Sequence, residues 1–148
     1  MKILFVCTGN ICRSPSAEAI LRKYCNDAGL KWTIDSAGTG GWHEGEAPDS
    51  RAQQAAEARG YDMRGITARS LCVNDYVQFD RIYAMTEEHY RFLRANAPAQ
   101  CPADLILFMG IVKENTDVPD PYYGGDAGFE RMIDMLEQGC GALIEQFS

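Results

Sequence analysis

A chain of 148 residues suits one domain spanning residues 1–148, since about 150 residues bury roughly two thirds of the surface that the unfolded chain exposes. Apolar residues at 46% and charged residues at 24% are ordinary for a soluble globular protein. The net charge of -7 argues against a nucleic-acid binder held by a basic face and against docking on an anionic membrane, and it means that an anionic substrate must be attracted by local groups.

The opening stretch MKILFVC is too short for a signal peptide or a transmembrane span, because Thr8, Gly9, Asn10 and Arg13 end the apolar run. Its apolar positions 2–6 read as a strand of a parallel sheet covered on both faces. After Ser14 the pattern becomes helical, with Ala17, Ile20, Leu21, Tyr24 and Ala28 at 3.6-residue spacing and Gly29 as the stop. Residues 32–37 read as a second strand that ends in the turn-rich GTGGWHEGEAPDS. Asp49 or Ser50 caps a helix through Arg59, which Gly60 ends, and a short helix is expected over 74–79. Residues 80–85 form a third strand, followed by Thr86 as an N-cap with Glu87 and Glu88 in the first turn. A fourth strand over 104–108 precedes a long loop. The last helix presents Phe129, Met132, Ile133, Leu136, Cys140, Leu143 and Phe147 on one face.

Strands alternating with helices imply right-handed crossovers and an α/β parallel sheet with helices on both faces. Ligands of such sheets sit at the carboxyl ends of the strands, so the loop after the first strand is the default site. Six cysteines could form a disulfide framework, but a chain of this length needs no staples, and reduced thiols in a cytoplasm are expected. No CxxC pair or His/Cys cluster suggests zinc, and His43 and His89 lie far apart in sequence, so neither metal nor other cofactor is expected.

Cys7 and Arg13 are separated by five residues and followed by Ser14. A loop of Thr8, Gly9, Asn10, Ile11 and Cys12 leading into a helix N-terminus points backbone N–H groups at one spot, with the helix dipole behind them. That is a cradle for a tetrahedral oxyanion, and Arg13 adds a planar fork for two of its oxygens. The same N–H groups, the guanidinium and the Ser14 hydroxyl favour a thiolate at Cys7, which makes it a nucleophile aimed at phosphorus. A lone strand-end cysteine is more often a small buried apolar residue. The strand before it, the Arg-Ser pair and the helix after it decide for the cradle.

VCTGNICRSPSAE resembles the signature loop of the low-molecular-weight protein tyrosine phosphatases, and the resemblance continues through GTGGWHEGEAPDSRA and DPYYG over nearly the whole chain. It implies a four-stranded parallel sheet of order 2-1-3-4 with helices on both faces. It also implies metal-free, two-step hydrolysis of phosphotyrosine in proteins through a cysteinyl phosphate. The implied partner is a phosphotyrosine-containing protein, with a tyrosine kinase among the candidates, met by a monomer or weak dimer. Asp120, held between Pro119 and Pro121, reads alone as a turn residue. The family's general acid sits in the matching DPYY, which makes Asp120 the proton donor, with Asp117 and Asp126 as neighbours to exclude.

Trp42, Tyr122 and Tyr123 lie on loops expected at the same sheet end, where the resemblance places the aromatic walls of the substrate pocket. Ile11 stands where related phosphoarginine-directed enzymes look to have threonine, and fits the tyrosine-directed branch. His43, beside Trp42, is read as an exposed loop residue without a role, ahead of the alternative that it tunes the pocket rim. Cys12 is a candidate partner for reversible oxidation of Cys7. Two positions depart from the family pattern: Ile66 and Thr86 replace a histidine and an aspartate taken to support the loop serine, which leaves the orientation of Ser14 open. The rival readings are an arsenate reductase, which would need a cysteine relay starting at Cys72 although position 79 is Phe, a phosphoarginine phosphatase, and a non-catalytic phosphoprotein-binding module. A P-loop nucleotidase is excluded by the absence of G-x-x-x-x-G-K.

Overall fold

Alternate residues of β1 (Lys2–Cys7) carry the two halves of the core. Successive strand side chains point to opposite faces. Ile3, Phe5 and Cys7 join one apolar cluster, and Leu4 and Val6 join the other. All five residues from Ile3 to Cys7 are buried, as a doubly covered parallel strand requires. This computed structural model describes residues 1–112, 116–121 and 125–147.

β1 pairs in parallel with β2 (Thr33–Gly38) on one side and β3 (Arg81–Ala84) on the other, and β3 pairs with β4 (Asp104–Leu107). The sheet order is β2-β1-β3-β4, the order that the resemblance implies. Helices α1 (Arg13–Ala28) and α5 (Gly125–Phe147) cover the Phe5 face together with α2 (Ser50–Glu57), and the other face lies under α3 (Asp75–Gln78) and α4 (Glu87–Asn96). The register sets Cys7 level with Gly38 and Val6 level with Ala84, so the carboxyl ends of β1, β2 and β3 stand side by side.

The predicted helix boundaries rest on recognisable caps. Gly29 ends α1 in the left-handed region at φ 71°, with the Leu30 N–H donating to the Cys25 carbonyl at 2.8 Å. Asp49 caps α2 by accepting from the Arg51 N–H. Thr86 caps α4 by accepting from the His89 N–H at 3.1 Å, with Glu87 and Glu88 in the first turn.

The expected long loop after β4 opens instead with a 3-10 helix, Phe108–Val112. Phe108 turns inward and meets the rings of Phe5 and Tyr83 edge-on. Gly139 in α5 leaves room for it, since a Cβ there would lie 2.2 Å from the Phe108 ring. Trp32 falls just before β2 and stacks edge-on against Phe147. Among the described residues no helix is long and apolar enough to cross a membrane.

Candidate active site

β1 delivers Cys7 to the sheet's carboxyl edge, and residues 8–12 carry the chain to the N-terminus of α1. The carbonyls of Cys7 and Thr8 accept from the N–H groups of Thr39 and Gly40 at 2.9 and 3.0 Å, and the Ile11 carbonyl accepts from Asp49 at 2.9 Å. A trans peptide sends its N–H opposite to its carbonyl, so tying these carbonyls outward turns the N–H groups of Thr8, Gly9 and Cys12 to the inner side of the loop. Gly38 permits the close approach: a Cβ there would sit 2.6 Å from the Thr8 carbonyl oxygen.

Asn10 adopts the left-handed region at φ 58°, which its short amide tolerates. Its side chain, almost wholly buried, accepts from the Arg69 N–H at 3.0 Å and donates from Nδ2 to Ser14 Oγ at 2.8 Å. Ser14 Oγ lies 2.9 Å from Cys7 Sγ and 3.4 Å from the Ala37 carbonyl. Arg69 is itself fixed by both carboxylate oxygens of buried Asp75 at 3.0 Å and by Asp35. Ser14 therefore keeps a supporting network despite the two departures from the family pattern. Ile66 is buried in the core, and Thr86 is spent on capping α4.

Cys7 is only 2% exposed yet lines a cavity of about 300 Å³. Thr8, Cys12 and Arg13 line it with Cys7, as do the more exposed Trp42 and Asp120. Arg13 is buried; it donates from Nη1 to the Val118 carbonyl at 3.2 Å and from Nη2 to Thr8 Oγ1 at 3.4 Å, and Nη2 lies 3.8 Å from Asp120 Oδ2. Val118 is pinned by its N–H to the Met85 carbonyl at the end of β3. One guanidinium thus ties the loop carrying the thiol to the segment carrying the acid.

Asp120 keeps 48% of its side chain exposed. Its neighbour Asp117 is committed elsewhere, accepting from the Glu87 N–H at 2.8 Å at the start of α4. Asp126 lies exposed in the first turn of α5, away from the cavity lining. Trp42 is 73% exposed and lays its ring over Gly40, where a Cβ would fall inside the indole. Tyr122 and Tyr123, the other expected walls, lie outside the described residues. Ile11 lines the cavity and packs partly on the core. Burial, reinforced by the negative charges of Asp49, Cys7 and Asp120, pushes the Cys12 thiol up to about 12, so it stays protonated at neutral pH.

Two histidines have more to do than the sequence suggested. His43 lines the cavity, its Cδ2 lies where a Cβ on Gly9 would come within 2.9 Å, and its Nδ1 is 2.7 Å from Glu46 Oε2. His89, read from the sequence only as distant from His43, sits 4% exposed with Nε2 2.7 Å from Thr8 Oγ1 of the loop. Burial and the positive charge of Arg13 hold its pKa at about 4, against the weaker opposing pull of Asp117 and Asp120. Its Nδ1 is buried without a hydrogen-bond partner among the described residues. The available signal was topological: His89 falls in the first turn of the helix after β3, and β3 shares its carboxyl edge with β1.

These features define an α/β protein in which a strand-end thiol, a helix N-terminus and a fixed arginine converge on one cavity, with a carboxylate in its lining. The profile of the family described as low molecular weight phosphotyrosine protein phosphatase matches residues 2–148. A low molecular weight protein-tyrosine-phosphatase of Streptomyces coelicolor is 41% identical over 97% of this chain and 91% of its own length. Among solved structures, a protein tyrosine phosphatase of Entamoeba histolytica with Hepes in its active site superposes with a TM-score of 0.92 at 43% identity, covering 99% of this chain and 96% of that one. A Drosophila arginine phosphatase superposes with a TM-score of 0.94 at 30% identity, covering 100% and 98%. The chain belongs to the low molecular weight phosphotyrosine protein phosphatase family.

Proposed function

We propose that this protein is a cytoplasmic, metal-independent phosphatase that hydrolyses phosphotyrosine in proteins, a tyrosine kinase among the candidate substrates, and small aryl phosphates. The observation that carries the reading is the convergence of Cys7, Arg13 and Asp120 on one 300 Å³ cavity, with Arg13 Nη2 3.8 Å from Asp120 Oδ2. Arg13 and the loop amides hold the equatorial oxygens of the phosphoryl group while Cys7 attacks phosphorus in line. The bond from phosphorus to the ester oxygen breaks, and Asp120 gives its proton to that oxygen. Asp120, now a carboxylate, takes a proton from the water that attacks the phosphocysteine, and the sulfur leaves as a thiolate stabilised by the Ser14 hydroxyl. Arg13 and oriented amides supply the positive potential that a metal ion provides in other phosphoryl-transfer sites.

The test is turnover of p-nitrophenyl phosphate in excess chelator by the parent and by Cys7→Ser, with rapid quench to trap phosphocysteine. Retained turnover in the parent, none in Cys7→Ser and a trapped phosphocysteine support the reading; loss of activity in chelator or a fully active serine variant overturns it. The likeness to an arginine phosphatase keeps one second reading in play, phosphoarginine as substrate. Apolar Ile11 at the cavity favours the aryl ester, and comparing phosphotyrosine and phosphoarginine peptides decides between them.

A further inference from the structure

The ring of His89 lies outside the reaction just described, yet it is one of the few polar side chains in the interior. It reaches the loop from 81 residues further along the chain, through Nε2 to Thr8 Oγ1 at 2.7 Å. Thr8 Oγ1 also receives Arg13 Nη2, and that same nitrogen lies nearest Asp120. The result is a linear relay: imidazole, hydroxyl, guanidinium, carboxylate.

The protons can be followed along it. A guanidinium only donates, so Thr8 Oγ1 accepts from Arg13 and has its own proton to place. A neutral imidazole with a lone pair on Nε2 takes that proton, and the lone pairs of Thr8 stay turned to Arg13. The groups facing the ring are Thr8 from the loop, Arg13 from α1, and Asp117 and Asp120 from the segment after the 3-10 helix. Burial and Arg13 together keep the ring neutral at physiological pH, the state that can accept.

A side chain serving only to fill this space would be apolar and would leave nothing unpaired. The imidazole instead carries ring nitrogens into the interior and sets Nε2 on the loop hydroxyl. We propose that His89 is a positioning residue for the anion-binding loop: through the Thr8 hydroxyl its Nε2 fixes the amino group of Arg13 that meets the phosphate oxygens. The inference rests on the reading of the loop as a phosphate site. It predicts a loss in ground-state and transition-state binding alike, which appears in KM more than in kcat.

Chain length separates positioning from packing. The terminal amide of glutamine reaches the place of Nε2, whereas that of asparagine ends near Nδ1. Sulfate affinity, followed by calorimetry, and p-nitrophenyl phosphate kinetics are measured on the parent, His89→Gln, His89→Asn and Thr8→Val, with thermal melts as a folding control. His89→Asn is expected to weaken sulfate binding and raise KM about tenfold, as for loss of one buried hydrogen bond, with His89→Gln within about twofold of the parent. On a Thr8→Val background, His89→Asn costs nothing further. Equal behaviour of Gln and Asn, or full additivity with Thr8→Val, overturns the proposal. A parent that binds sulfate but hydrolyses no ester defeats the functional reading and leaves this inference to the sulfate series. A parent that binds no sulfate defeats this inference whatever it hydrolyses.

Discussion

Replacing Ser14 with alanine removes one oxygen from the most crowded polar contact of the site. That oxygen accepts from Asn10 Nδ2 at 2.8 Å and lies 2.9 Å from Cys7 Sγ, while the Ala37 carbonyl is more distant at 3.4 Å. Asn10 Nδ2 can only donate and a thiolate can only accept, so the serine's single proton goes to sulfur. When the phosphocysteine is hydrolysed, negative charge returns to that sulfur as the leaving group. A hydrogen bond to a charged group contributes about 1.5–3 kcal/mol, so its loss slows this step by about 10–150-fold. Attack on the ester suffers less, because a thiolate without its hydrogen bond is also a more reactive nucleophile. Stopped-flow turnover of p-nitrophenyl phosphate by Ser14→Ala should show a stoichiometric burst of nitrophenol followed by a slow steady rate, with phosphocysteine trapped on quenching. Asn10 Nδ2 loses its acceptor in a buried setting, so the melting temperature should fall by roughly 3–10 °C. A steady rate equal to that of the parent, or a slow rate without a burst, would refute the assignment of the serine proton to sulfur.

Asp120→Asn should lower kcat by about 10²–10⁴-fold on phenyl phosphate and far less on p-nitrophenyl phosphate, whose leaving group needs little protonation; the same loss on both esters would show that Asp120 is not the proton donor. His89 stays neutral in the fold down to about pH 4, whereas in the unfolded chain it takes a proton near 6.5, facing Arg13, Asp117 and Asp120 only in the folded state. Below pH 6.5 the unfolded state therefore binds more protons, and stability falls toward pH 4 by about 3 kcal/mol. Urea titrations across that range should find this slope in the parent and not in His89→Gln; a slope unchanged in the variant would assign it to other groups. Cys12 lines the same cavity as Cys7, and its proposed role is to capture the Cys7 sulfenic acid as a disulfide with loss of water. After peroxide, thiol should restore the parent more fully than Cys12→Ser, and equal recovery would remove Cys12 from that role.

What the sequence made legible was local. Cys7, the loop and Arg13 lie within one strand–loop–helix unit, so their spacing reports their geometry directly; the parallel pairing of the sheet follows from alternation of elements, and its order from the family resemblance. The support beneath the loop is not local. Asn10 meets Arg69 across 59 residues and Thr8 meets His89 across 81, distances over which spacing carries no geometric information. That is why Ser14 looked unsupported when Ile66 and Thr86 were compared with the family pattern, although Asn10 donates to it. The helix from Phe108 to Val112 was missed for a different reason: one turn is too short to show a helical period, so Phe108 read as the end of a strand and the next four residues as loop. His43 was undervalued because its contact is with the bare backbone of Gly9, and a glycine in a loop advertises freedom more than close approach.

A chain carrying a net charge of -7 must still gather a phosphate dianion, and the site does so with orientation more than with charge. Arg13 is the one guanidinium lining the cavity among the described residues; the remaining positive potential comes from amides aligned by outward-tied carbonyls and by α1. His89 could have supplied a second cation beneath the loop, yet burial beside Arg13 keeps it neutral. A further fixed cation would tighten substrate and product phosphate together, and uniform tightening lowers KM without raising kcat. A neutral imidazole that holds Thr8, and through it Arg13, keeps the existing guanidinium in place without adding a second charge. The same guanidinium touches Val118 and approaches Asp120, so its placement sets nucleophile, anion and acid in one frame. A shift of that fork therefore loosens the phosphoryl oxygens in the ground state and the transition states together, which is the physical reason for the loop to be braced from beneath by Thr8 and His89.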